Sequence, residues 1–166
     1  LILHSRDLSH TEKILAEVQA MGVQAYAVAA DLRDLSQVEG MLKQIDELGV
    51  PVDIVLNNAG LQIAYRTDYL STPASDYEIS FLVNTIAPAM ICYHFLPKMI
   101  ARGHGRILNT TSGIRLEPQQ AGYSASKAAL DKITIDLGST VQGTDVMINL
   151  TDPGWCRTDL GGPHAP

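Results

Sequence analysis

The sequence predicts an α/β protein built on a doubly wound parallel sheet, and three observations carry that expectation. Short apolar runs alternate with longer stretches of helical periodicity through all 166 residues. The short runs are apolar at successive positions, as strands covered on both faces of a parallel sheet are. Small or polar residues suited to a ligand site recur at the ends of these runs, the carboxyl edge at which open parallel sheets bind ligands.

The elements follow in order. LILH (1–4) is the first strand, and Ser9 with Glu12 gives the next helix a capping-box entrance. Gly22 stands just past that helix, where a left-handed residue is wanted. AYAVAADL (25–32) leads to a second helix with Ser36 and Glu39 at its start and Gly49 beyond its end. VDIVLNN (52–58) is the third strand. A long helix over 75–102, entered at Ser75 and Glu78, precedes the strand GRILNTTS (105–112), and a helix over 121–141 precedes VMINLTD (146–152). No internal repeat, low-complexity segment or linker interrupts the chain, so a single domain over 1–166 is expected.

Composition narrows the function. Hydrophobic residues make up 46% and charged ones 18%, so much of the chain is expected to be buried. A net charge of −6 without a basic block argues against nucleic acid or an anionic membrane as partner. Cys92 and Cys156 lie far apart in no metal-ligand spacing, which predicts free thiols, a reducing cytoplasm and no metal site. No stretch reaches ~18 uncharged apolar residues, and none is expected to span a bilayer. The chain opens on a strand without an initiating Met or a basic-then-apolar leader, and reads as cut from a longer one.

The chemistry concentrates at the strand ends. Tyr123 and Lys127, in GYSASKAAL, are four residues apart on a helix and share a face. An ammonium beside a phenol favours phenolate, and a phenol so tuned can exchange a proton with an alcohol oxygen. The same spacing also suits a packed aromatic beside a solvated lysine. Ser112, eleven residues before Tyr123, ends a strand where its hydroxyl can hold a carbonyl oxygen. Asn84 precedes Pro88 by four residues; Pro88 has no N–H, so the helix is expected to kink there and leave the Asn84 carbonyl free for a water. In NNAG (57–60), small residues allow a flat ligand to approach the backbone, and Asn58 can tie neighbouring strands. Pro153 and Gly154 turn the chain after the last strand, and Thr158 offers a hydroxyl to a carboxamide or phosphate. Trp155 and Cys156 suit a pocket wall or a covering loop equally.

NNAG, the Asn84 helix, Ser112, YSASK and DPGWCRT, in this order and approximate spacing, resemble the short-chain dehydrogenase/reductase family over essentially the whole chain. The resemblance implies a Rossmann-type fold and nicotinamide-dependent hydride transfer between cofactor and a carbonyl or secondary alcohol. It implies Tyr123 as general acid/base, Ser112 as carbonyl polariser, Lys127 as the residue that lowers the tyrosine pKa and holds the ribose, and Asn84 as anchor of a relay water. It places Asp31 at the adenine amine with Leu32 beside the ring, Asn58, Ala59 and Gly60 at the adenosine ribose, and Pro153, Gly154 and Thr158 at the nicotinamide end. At the end of the 1–4 strand an acidic residue would favour NAD(H). Here Ser5 and Arg6 stand there, and a guanidinium can fork onto a 2′-phosphate, so NADP(H) is favoured, with Asp7 keeping NAD(H) open. The resemblance also suggests a homodimer or homotetramer through the helices 75–102 and 121–141.

Two departures stand out. The family's TGxxxGxG turn and first strand belong before Leu1, in the middle of the sheet, and a covering helix and last strand belong after Pro166. The expectation is a longer protein of which these residues are part; the alternatives are an inactive fragment, or a nicotinamide-binding sensor on the same fold. The Ser112–Tyr123 interval is also a little short for the family. Tyr65, Tyr69, Arg115 and Glu117 are candidates for the substrate side, and each suits a surface position as well.

Overall fold

A computed structural model describes residues 1–113, 115–158 and 160–165. It separates into two compact units, Leu1–Pro51 and Val52–Pro166.

In the first unit β1 (Ile2–Ser5) pairs in parallel with β2 (Tyr26–Ala29), Ile2 opposite Tyr26 and Ser5 opposite Ala29. The connection passes through α1 (Glu12–Ala20), as a parallel pair requires. After β2 comes α2 (Leu35–Glu47), which buries Val38, Met41, Leu42 and Ile45, a stripe at helical spacing. Gly22 and Gly49 take φ of +80° and +65°, the left-handed conformation expected past a helix end. The predicted capping boxes do not form. Asp34 caps α2, accepting from Ser36 N and Gln37 N; Asp7 accepts from Ser9 N but caps a 3-10 turn (Leu8–His10) ahead of α1, whose own N-cap Thr11 makes no side-chain capping bond. At the third entrance Pro73 stands at the N-cap and Ala74 begins the helix. An ionised carboxylate is the stronger acceptor for free helix N–H groups, and it takes the place of the hydroxyl.

In the second unit β3 (Ile54–Asn57), β4 (Gly105–Thr110) and β5 (Val146–Thr151) form one parallel sheet in that order. Ile54 stands opposite Arg106, and Gly105 opposite Val146. The strands were expected to be covered on both faces, but β3 alternates. Val55 and Asn57 are buried, whereas Ile54 is 72% and Leu56 60% exposed. Side chains alternate along a strand, so one face of β3 packs and the other is open. On the packed side Asn57 Nδ2 donates to Asn109 Oδ1 at 2.8 Å, and Asn109 Nδ2 donates to Thr134 Oγ1 at 2.8 Å. Cys92 lies against both asparagines, and Asn109 and Cys92 are wholly buried. Asn57 therefore ties the neighbouring strands inside the core, and Asn58, as expected, does so at the surface, accepting from Thr110 Oγ1. Period-two alternation points Asn57 into the core and leaves Asn58 exposed.

The predicted long helix is three segments: α3 (Ala74–Phe81), a π-helical turn over Leu82–Ile86, and α4 (Ala87–Arg102). The irregularity expected from Pro88 is thus an extra residue in the turn, which brings buried Asn84 into its centre. Among the described residues this 29-residue stretch is long and apolar enough to cross a membrane, contrary to the sequence expectation, because its mean hydropathy stays high although no unbroken apolar run exists. More than half of it is buried, as in a core helix. The last helix, α5 (Ala121–Ser139), crosses α3 closely. A Cβ at Gly122 would lie 2.8 Å from the Asp76 carbonyl oxygen. Cys92 is buried, Cys156 exposed, and both are free thiols.

Candidate active site

The site in the second unit is built on the first turns of α5 and the ends of β3, β4 and β5. Alanine and serine at 121–129 let α5 approach its neighbours, and Ser126 is fully buried. Ser126 is held from three sides: its Oγ donates to the Tyr123 carbonyl at 2.7 Å and accepts from Asn84 Nδ2 at 3.0 Å, and its carbonyl accepts from Thr85 Oγ1 at 2.7 Å. The π turn and α5 are thereby locked together beside Tyr123.

Lys127 is only 4% exposed, and its Nζ donates to the Thr110 carbonyl at 2.8 Å. Burial lowers its pKa to about 8, with Asp131 pulling the other way. Asn84 clasps the loop after β3, accepting from Leu61 N at 2.8 Å and donating to Leu61 O at 2.8 Å. A Cβ at Gly60 would lie 3.6 Å from both Asn84 Oδ1 and Lys127 Nζ, so this glycine leaves open the space in front of both groups.

Tyr123 is half-buried, and its phenol titrates above its ordinary value. Burial is the main cause; Glu117, Asp152 and Tyr65 add to it, and hydrogen bonding with Ser112 opposes it. The expected lowering by Lys127 is not realised in this structure. The ammonium is directed to Thr110 O, and the charges that bear on the phenol are carboxylates. Ser112, one residue past Thr111, is the predicted site residue that works on the phenol.

Asp152, a polar strand-end residue to which the sequence assigns no role, joins two strand ends. Its Oδ2 accepts from Gly113 N at 3.0 Å and its Oδ1 from Gly154 N at 2.9 Å, fixing the loop after Ser112 to the Pro153–Gly154 turn. The signal was an aspartate two residues before a glycine at a strand exit, the pattern of an Asx turn. Thr158 turns its hydroxyl into its own loop, accepting from Gly161 N at 3.1 Å. Asn58 is exposed and accepts from Thr110 Oγ1 at 3.3 Å; Ala59 and Gly60 are also exposed.

On the substrate side, buried Gln120 holds the 61–66 loop, accepting from Gln62 Nε2 at 2.7 Å. Arg66 N donates to Gln119 O at 3.0 Å, and the Arg66 guanidinium pairs with Asp76. Glu117 and exposed Tyr65 bear on the phenol electrostatically, Arg115 approaches Gly113, and Tyr69 sits in an exposed turn.

The first unit brings together its own candidates. Ser5 Oγ lies 3.1 Å from His10 Nδ1, and Arg6 is exposed at the exit of β1. The carboxylate of Asp31 is pulled down to about 2, chiefly by Arg33, whose Nε donates to both its oxygens at 2.9 Å, and to a lesser extent by Arg6. Leu32 is buried beside it. Arg33 is not singled out by the sequence pattern; it meets Asp31 because the chain turns there, Asp34 N donating to Asp31 O and Arg33 N to Asp31 Oδ1.

A family model described as short chain dehydrogenase matches residues 1–165. The chain belongs to the short-chain dehydrogenase family. This family member is 31% identical to the ketoacyl reductase HetN of a Nostoc species over 91% of its own length and 53% of that protein's. It is 29% identical to the oxidoreductase YvrD of Bacillus subtilis, over 93% of this chain and 58% of the relative. The chain thus spans little more than half the length of these curated relatives. Among solved structures, it resembles a metagenomic short-chain oxidoreductase in complex with NADP, with 26% identity and a TM-score of 0.82 over 92% of this chain and 69% of that one. It also resembles an NAD+-bound xylitol dehydrogenase, with 26% identity and a TM-score of 0.83 over 93% and 60%. The Rossmann-type α/β fold and membership of a family of oxidoreductases agree with the sequence reading.

Proposed function

We propose that the protein interconverts a carbonyl compound and a secondary alcohol with a nicotinamide dinucleotide, Tyr123 acting as general acid/base. The observation that carries this reading is a half-buried phenol and a buried ammonium one helical turn apart on one face of α5, Asn84 closing one side and Gly60 leaving the other open. The residues present fit the cofactor: the missing Cβ at Gly60 leaves room in front of Lys127 Nζ for a ribose hydroxyl. When bound, the nicotinamide supplies or takes the hydride.

Ser112 holds the substrate oxygen beside the phenol, and Tyr123 gives that oxygen a proton in reduction or removes one in oxidation. The upward shift of the phenol suits proton donation. Lys127 holds the ribose and keeps positive charge close to the proton path. Asn84, fixed by Leu61 and Ser126, anchors a water of the relay. Asn58, Ala59 and Gly60 border the ribose, Pro153, Gly154 and Thr158 the nicotinamide end, and Ser5, Arg6, Asp31 and Leu32 serve the adenosine end. NADP(H) is the preferred cofactor on the strength of exposed Arg6, since Arg33 is already paired with Asp31. Exposed Tyr93 on α4 and Ile135 on α5, 62% and 64% accessible, support association through these helices.

The test is Tyr123→Phe in the full-length protein. Turnover of a carbonyl panel with NADPH or NADH should vanish while cofactor binding persists; retained ketone reduction would overturn the mechanism.

A further inference from the structure

Asp131 has no part in the proposed reaction, yet it is placed with the residues that do. Tyr123, Lys127 and Asp131 follow one another at four-residue intervals on α5 and therefore lie along one face of the helix. Consecutive residues at the end of β4 hold the last two. The carbonyl of Thr110 accepts from Lys127 Nζ at 2.8 Å, and the hydroxyl of Thr111 donates to Asp131 Oδ1. Thr111 is itself buried, and its N–H donates to Thr151 O at 2.9 Å, so the anchor is tied to the strand beyond.

A buried ammonium needs a counter-charge if it is to stay protonated. The surroundings of Lys127 offer few. On the π turn and the 58–61 loop the near groups are Asn84 and Gly60, both uncharged. Asp76 on α3 is paired with Arg66, and Lys132 on α5 with Asp136. Glu117 and Asp152 bear on Tyr123, while Asp131 is the carboxylate that bears on Lys127.

We propose that Asp131, anchored by Thr111, is a positioning residue that supplies the counter-charge of Lys127 and holds its ammonium on the Tyr123 face of α5. Thr111 occupies one carboxylate oxygen and keeps the group from turning to solvent. The consequence for turnover rests on the oxidoreductase reading; the charge pairing does not.

The test is an NMR titration of the Lys127 side chain in the full-length protein, with a pH profile of kcat/KM for carbonyl reduction as second readout. In Asp131→Asn the isosteric side chain still accepts from Thr111 but carries no charge, and the Lys127 midpoint should fall by about one pH unit. The alkaline limb of the pH profile should move the same way. Asp131→Glu should restore both, a rescue that a merely structural role for Asp131 does not predict. Thr111→Val should shift the midpoint in the same direction by less, and serves if Asp131→Asn does not fold. An unchanged midpoint in folded Asp131→Asn, or in folded Thr111→Val when the other variant is lost, overturns the proposal. A shifted midpoint in a protein that turns over no carbonyl upholds the pairing and removes the oxidoreductase reading instead.

Discussion

The two units hold their polar groups in different ways. In the first, the carboxylates bond locally and at the surface: Asp7 with Ser9, Asp31 with Arg33, Asp34 with Ser36 and Gln37. Around the candidate site of the second, the bonds are buried or part-buried and join residues far apart in sequence: Asn57 with Asn109, Asn84 with Ser126, Lys127 with Thr110. A local bond at the surface competes with water and contributes little. A buried partner has no water to fall back on, so losing it leaves the other group unsatisfied at full desolvation cost. The second unit therefore has little freedom around its candidate site, whereas the first can rearrange Arg33 and Arg6 around a ligand at small cost.

Substitutions can break or sharpen that contrast. The largest loss of stability is expected for Asn109→Ala, which strips partners from Asn57 and Thr134 and opens a cavity; urea unfolding should show a loss of about 3 kcal/mol. Gly122→Ala comes next. The new Cβ would meet backbone of Asp76 at 2.8 Å, α3 and α5 must move apart, and about 2 kcal/mol should be lost.

Lys127→Met has the opposite sign for stability: it removes a desolvated charge and should raise the unfolding free energy at pH 7 by about 1 kcal/mol while abolishing turnover. Its pH dependence is a sharper check. Lys127 titrates at about 8 in the folded protein against 10.5 ordinarily. Between those values the unfolded chain keeps a proton that the folded protein has released, so stability rises with pH across that window. The wild type should show this rise relative to Lys127→Met, and parallel curves would mean that the ammonium is not buried as described. Asp34→Ala, which removes an exposed cap in the first unit, should lower the thermal midpoint least of the series. If it costs as much as Asn109→Ala, the contrast between the units fails.

Much of the site was legible because it is written at short range. A tyrosine and a lysine four apart on a helix, the Pro88 irregularity near Asn84, and the strand exits at Ser112 and Gly154 all follow from local geometry. What could not be read depends on which face a residue takes. Asn57 and Asn58 are adjacent amides, and only the folded structure sends the first inward, to Asn109 on β4 and Cys92 on α4. Ser9, Ser36 and Ser75 fit a capping pattern, but the helices begin elsewhere: Asp34 caps α2, while Asp7 caps only the 3-10 turn ahead of α1 and Pro73 stands at the entrance of α3. Arg33, Gln120 and Asp152 are ordinary surface residue types until the loops that hold them are folded.

By itself, then, the sequence determined the alternation of strands and helices, the residue types at the carboxyl edge and the phenol–ammonium spacing, because periodicity and backbone chemistry act over a few residues. Only the tertiary structure decided that burial, with carboxylates at Glu117 and Asp152, raises the Tyr123 phenol, and that Lys127 reaches for Thr110. Desolvation and charge are summed over everything that packs around a group, and those neighbours come from strands and helices far apart in the chain.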